Sequence, residues 1–117
     1  MAPLTLDKIQ TSTTFDIPGC AVVRSMGVVR GLIVRSPTIS QGFLGGLKTI
    51  IGGNIEAYRE VCEQARSDAF SAMLLHASQL GANAVIGVHY DTSEIGAQSR
   101  ATEVLCYGTA VLVQVER

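Results

Sequence analysis

At 117 residues, with a hydrophobic content of 47% and only 16% charged residues, the chain has room for one domain with a modest core and is apolar for a soluble monomer. A net charge of −1 with no run of lysine or arginine argues against nucleic-acid binding through a basic face. No apolar run is long enough to span a membrane, and Asp7 and Lys8 stand where a signal peptide would be apolar, so the expectation is a cytoplasmic protein that binds no membrane. Cys20, Cys62 and Cys106 are widely spaced and odd in number, which fits three reduced thiols rather than a disulfide framework.

In chain order, residues 1–12 read as an N-terminal arm, although Leu4, Leu6 and Ile9 could dock on a neighbour, and residues 13–117 as a single domain. Ile17-Pro18-Gly19 reads as a turn. Two β segments follow, Cys20 to Arg24 and Gly27 to Val34, either joined at Ser25-Met26-Gly27 or continuous through a bulge there. After Pro37, the residues Ile39, Phe43, Leu47 and Ile50 recur at helical spacing despite Gly42, Gly45 and Gly46. Each of those glycines weakens a helix by about 1 kcal/mol relative to alanine, so this short helix depends on packing from elsewhere.

The dominant element runs from Asn54 to Leu80. Ile55, Tyr58, Cys62, Ala65, Ala69, Met73, His76 and Leu80 fall on one stripe at steps of three and four, with Glu56, Glu60, Gln64, Ser67, Ser71 and Ser78 opposite. Asn54 suits an N-cap, and Gly81 can take the left-handed conformation that ends a helix. At 1.5 Å per residue the rod is about 40 Å long. Phe70, Leu74 and Ala77 make a second apolar flank, which we assign to a subunit contact.

The following run, Ala82 to Asp91, is continuously apolar in its first half, as in a strand buried on both faces. Thr92 to Arg100 is polar and reads as a turn. Thr102 to Val115 is the last strand, and both of its faces are largely apolar. A helix covers only one face of a sheet, so the other face calls for a second cover, most simply another subunit.

The run LGANAVIGVHYD, with IIGG at Ile50 to Gly53 before Ala57-Tyr58, Arg66 and Ala69 on the helix, Ile95-Gly96, and GTAV at Gly108 to Val111, resembles the YbjQ-like family, whose label is heavy-metal-binding and whose cellular role is unknown. The resemblance covers about Thr13 to Val113, and several short motifs in register are more specific than any one alone. It implies a ring-shaped homopentamer. The combined expectation is an α+β fold, an antiparallel β-sheet packed against one long α-helix in the order β-β-short helix-long helix-β-β, assembled into a homo-oligomeric ring.

Three chemistries can be weighed on these residues. For metal, Cys20, Cys62, Cys106, His76 and His89 are the soft or borderline donors, and none forms a paired ligand motif. Cys62 and His76 share a helix face but lie about 21 Å apart along it, too far to share an ion. Cys62 and Cys106 therefore read as small buried hydrophobes and His76 as an amphipathic face residue. His89 and Asp91 can share a strand face near the strand's end, where a group from another chain could join them, and they are the candidate metal ligands. Family members often carry an acid where this chain has His89. The cofactor class implied by the resemblance is a divalent or heavy-metal ion, and no spacing in the sequence requires one.

For anions, Gly42 to Thr49 lacks the glycine before lysine that a phosphate-binding loop needs, since Leu47 stands there. Gly52, Gly53 and Asn54, at the start of the long helix, are the better candidate ligand-binding residues, against the simpler reading that they let the chain enter the helix sharply. For catalysis, Glu94, Glu103, Asp91, His89, Tyr107 and Cys106 gather near one hairpin, but nothing in their spacing fixes a reacting geometry, and an enzyme is not expected. Two functions follow as expectations. One is an oligomeric binding protein holding a heavy metal or small anionic ligand at subunit junctions. The other is a structural homo-oligomeric platform for a protein partner, with no small ligand.

Overall fold

A computed structural model describes residues 8–35, 55–95 and 101–116. Four strands and a helix follow in chain order: β1 (Gln10–Thr11), β2 (Cys20–Arg35), α1 (Ile55–Gln79), β3 (Ala84–Ile95) and β4 (Ala101–Val115). They make a small α+β fold, with α1 packed on one sheet of order β1-β3-β4-β2. The expected short helix with Phe43, Leu47 and Ile50, and the residues Gly52, Gly53 and Asn54, lie outside the described residues.

The sheet is mixed rather than antiparallel throughout. β1 runs parallel to β3, pairing Gln10 with Ala84 and Thr11 with Val85, and the buried Ile9 just before it joins the core. The sheet thus recruits residues that composition alone assigned to the arm, because two backbone pairings and one buried isoleucine suffice to tie down a polar stretch. The two segments expected between Cys20 and Val34 form one strand. β2 pairs antiparallel with β4 from Cys20↔Val115 to Arg35↔Thr102, with register shifts at Val22/Arg24 and Ser25/Gly27. Gly27, at φ +95°, supplies the left-handed residue that such a bulge accommodates without a Cβ clash.

α1 ends as its sequence foretells. Gly81 has φ +82°, the Ala82 amide donates to the Ala77 carbonyl at 3.1 Å, and the Gly81 amide donates to Ser78 at 3.0 Å, which is the Schellman pattern. Its buried stripe is Ala65, Ala69, Met73 and Ala77, with Leu74 only 8% exposed and Phe70 packed against the same cluster. The flank assigned to a subunit contact is therefore the shoulder of the intrachain core. Cys62, expected to be buried, is exposed. Arg35, the last residue of β2, already lies level with Asp68, to which its guanidinium bonds at 2.7 Å, so Cys62 projects more than a turn beyond the end of that strand.

β3 continues to Ile95 through residues expected to form a turn, paired to β4 as far as Ile95↔Ala101. Its first half is buried on both faces, as the continuous apolar run implies, since neighbouring Ala84 and Val85 are both fully buried. Under α1, Val29, Val85, Val88, Val104, Cys106 and Ala110 complete the main core. On the other face a smaller cluster of Ile17, Ala84, Val111 and Val113 is closed by the turn before β2. Part of the second cover that β4 requires thus comes from the chain itself. Further along that face Val28 is 68% exposed and Leu32 52%.

Candidate functional site

The register of the strands decides which side chains share the uncovered face. Between Ile86 and His89 the β3–β4 pairing shifts by one residue, with Gly87 at φ +62°. Such a bulge re-aims every side chain that follows it. Directly paired residues share a face, so His89, Tyr107 and Arg30 form one row across β3, β4 and β2, and Asp91, Leu105 and Leu32 form the next. Tyr90 and Cys106 lie on the opposite face, under α1, where the Arg66 guanidinium sits 5.1 Å from the Tyr90 ring centroid.

His89 is held on two sides. Its ring stacks on Tyr107 with centroids 6.0 Å apart and planes 25° from parallel. Its Nδ1 lies 2.8 Å from the Gly87 carbonyl oxygen. That oxygen can only accept, so Nδ1 carries the proton and Nε2 of the neutral ring keeps its lone pair. A histidine tautomer set by a backbone carbonyl is the usual arrangement behind a metal-binding nitrogen. Asp91 lies two residues on, exposed on the same face, at a strand spacing of about 7 Å. Among the described residues no cluster of three or more His, Cys, Asp or Glu side chains could hold a metal ion. The two predicted ligands are therefore neighbours and an incomplete set.

The other candidates separate. His76 is half-buried and its Nδ1 accepts the Arg30 amide at 3.2 Å, which commits that nitrogen to the edge strand. Cys20, Cys62 and Cys106 are all free thiols, spread over β2, the exposed side of α1 and the core. Glu94 and Glu103 lie on opposite faces, since Glu94 pairs with Thr102 and Glu103 with Ser93, which disperses the group considered for catalysis.

Burial raises the Cys106 thiol pKa, with the Tyr90 hydrogen bond acting in the opposite direction. Burial likewise raises that of Tyr90, assisted by Cys106 and offset in part by the Arg66 charge. The neutral forms of Cys106 and Tyr90 are thus favoured.

The sequence reading places Tyr107 only among the hairpin residues and does not single out Phe15 at all. Tyr107 becomes the stacking partner of His89 only once the bulge at Gly87 is counted. Phe15 is 80% exposed on a loop closed by hydrogen bonds of its neighbours. Thr14 is bonded to Ser12 and Asp16, and the Gly87 and Val88 amides donate to the carbonyls of Thr14 and Ser12 at 2.7 and 3.0 Å. A cluster of Ser, Thr and Asp around a phenylalanine is the available signal, and it marks a self-bonded turn.

The family model described as "Putative heavy-metal-binding" matches residues 9–114. A UPF0145 protein of Legionella pneumophila (strain Paris) is 54% identical over 105 residues, covering 90% of this chain and 96% of its own. One from Paraburkholderia phymatum is 56% identical over 106 residues, covering 91% and 94%. Among solved structures, a protein of unknown function of the DUF74 family from Pediococcus pentosaceus is similar at a TM-score of 0.47 and 16% identity, over 91% of this chain and 98% of its own. With a model match across nearly its whole length and relatives above half identity, the chain belongs to the YbjQ-like family of UPF0145 proteins.

Proposed function

We propose that this chain is a cytoplasmic, non-catalytic binding protein that works as a homo-oligomer, a pentamer as the family resemblance implies, and holds a heavy-metal or other divalent ion at the junction between subunits. The carrying observation is His89, whose Nδ1 is bonded to the Gly87 carbonyl and whose Nε2 is thereby left as a donor beside Asp91. Two ligands cannot close a tetrahedral site, so the remaining donors come from a neighbouring chain or from water. The surrounding face suits a subunit contact, because Val28, Leu32 and Tyr107 expose apolar surface there, and Phe15 adds an exposed aromatic ring beside Gly87. Among the described residues no helix is long and apolar enough to cross a membrane.

The experiment is elemental analysis and light scattering on the purified protein, on His89→Ala and on Phe15→Ala. The expected result is a ring mass for the wild type, a sub-ring mass for Phe15→Ala, and a metal content that His89→Ala reduces. A wild-type mass of one chain across micromolar concentrations overturns the assembly. A ring that takes up no metal under metal-replete conditions favours the second reading, a structural platform for a protein partner, for which the exposed Phe15 is the supporting observation.

A further inference from the structure

The segment between Ile9 and Ile17 is tied to β3 at the point where that strand bulges. It is pinned at both ends, by Ile9 in the core under α1 and by Ile17 in the smaller cluster on the opposite face. Between these anchors Ser12 spans the bulge. Its amide donates to the Val85 carbonyl at 3.1 Å, and its carbonyl accepts the Val88 amide at 3.0 Å. In a regular parallel ladder the two partners of one residue lie two positions apart; Val85 and Val88 lie three apart, so Ser12 bridges the extra residue. The Gly87 amide donates to the Thr14 carbonyl at 2.7 Å. Phe15 lies over the same glycine, because a Cβ added at Gly87 would stand 3.0 Å from Phe15 Cε1 and 3.2 Å from Phe15 Cδ1.

We propose that Ser12, Thr14 and Phe15 are positioning residues for His89, holding Gly87 so that its carbonyl fixes the imidazole in the Nδ1–H tautomer. The use of that tautomer rests on the reading of His89 as a donor at the site, since the bare Nε2 is what meets a ligand. The tautomer itself does not depend on that reading.

Peptide geometry carries the coupling. A trans peptide unit is planar, with its N–H and C=O pointing in opposite directions. The Val88 N–H and the Gly87 C=O belong to one such unit. Anchoring the first on Ser12 therefore aims the second away from the segment, where His89 Nδ1 meets it at 2.8 Å. The Gly87 N–H belongs to the preceding unit, which Thr14 holds. With both flanking units held, Gly87 is fixed at φ +62°, although glycine by itself tolerates a wide range of conformations. The segment keeps its own shape through side chains, as the Thr14 amide donates to Ser12 Oγ at 3.0 Å and Thr14 Oγ1 donates to the Asp16 carbonyl at 3.1 Å. Without the clamp the Gly87 carbonyl is free to turn toward water. The bond that selects Nδ1–H is then lost, and either ring nitrogen can carry the proton.

The chain has two histidines, and the second is an internal reference. His76 Nδ1 accepts the Arg30 amide, so its proton sits on Nε2. The test is long-range nitrogen–proton NMR correlation on the metal-free full chain at about pH 8.5, where an imidazole of ordinary pKa is neutral, with the His89→Ala spectrum assigning the signals. The expected result is the Nδ1–H tautomer at His89 and the Nε2–H tautomer at His76. Ser12→Gly with Thr14→Gly removes the side-chain bonds and loosens the backbone. It is expected to lower the ratio of Nδ1–H to Nε2–H at His89 about fivefold, the factor that one ordinary hydrogen bond supplies, with His76 and the circular dichroism spectrum unchanged. Thr14→Ser keeps the hydroxyl and is expected to keep the wild-type ratio. If the double variant does not fold, Thr14→Gly alone carries the comparison. A wild-type His89 with its proton on Nε2 overturns the proposal, and so does a ratio within about twofold of wild type in the folded glycine variant. Metal takes no part in these spectra, so a protein that binds no metal overturns the reading of His89 as a ligand and leaves the measured tautomer, and its dependence on the segment, standing.

Discussion

Gly31 offers the sharpest test of how this fold is packed. A Cβ added there would meet the Ala69 carbonyl oxygen and would stand 2.5 Å from the Met73 amide nitrogen and 2.8 Å from Ala72 Cβ. The first two are helix backbone, which no rotamer change can move aside. Opening the Met73 contact alone from 2.5 Å to an ordinary 3.4 Å lifts α1 by about 0.9 Å, and a gap of that size forfeits a quarter to a half of each dispersion contact. The residues that lose contact are Ala69, Met73 and Ala77, all wholly buried. Overpacking a core costs about 1–3 kcal/mol. With rigid backbone on the opposing side, Gly31→Ala is expected at or above the top of that range, at least about 3 kcal/mol. Gly19→Ala is the control, because Gly19 has φ +80° with nothing within 4 Å of an added Cβ and incurs only the left-handed backbone cost of about 1–2 kcal/mol. Urea unfolding followed by far-ultraviolet circular dichroism, at one protein concentration so that assembly contributes equally, measures both. A loss for Gly31→Ala of under about 0.5 kcal/mol, or one no larger than that of Gly19→Ala, would refute the close helix–strand approach.

Two further outcomes follow from polar groups on and beside the sheet. Asn83 accepts the Val113 amide at 2.8 Å and donates to the Val113 carbonyl at 3.0 Å, acting as an extra strand residue. Asn83→Ala leaves both β4 groups without that partner and is expected to cost about 2 kcal/mol in urea unfolding, and a loss within about 0.5 kcal/mol of zero would show that water replaces the side chain freely. Stability is also expected to fall in alkali. Cys106 and Tyr90 are raised above their ordinary values of 9.0 and 10.0, mainly by burial, so the unfolded chain releases these protons first and binds fewer than the native state. The slope of stability against pH is then negative from about pH 9 upward. Urea midpoints that stay level or rise through that window, or a Tyr90→Phe protein with an identical decline, would contradict the assignment.

Much of the architecture was legible in the chain because it rests on local chemistry. The glycine that ends α1, the turn at Ile17-Pro18-Gly19 and the doubly buried start of β3 each follow from the conformational limits or apolar content of a few consecutive residues. The motifs from Ile50 to Val111 likewise carried the family. What the tertiary structure decided is the arrangement across strands. One-residue shifts at Gly27 and Gly87 reverse which side chains face α1; a bulge at Ser25-Met26-Gly27 is one of two readings of the sequence, whereas nothing local to Gly87 announces its shift, because a bulge is defined by the partner strand. The pairing of His89 with Tyr107, and of Tyr90 with Cys106, depends on those shifts. The meeting of Cys106 with Met73, residues 33 positions apart, rests instead on the packing of α1 against β4. The placement of the helix against the sheet is non-local in the same way. Periodicity identified an apolar stripe on α1, but it could not say that the shoulder at Leu74 would be covered and the turn at Cys62 left exposed, because that depends on where β2 ends beneath the helix.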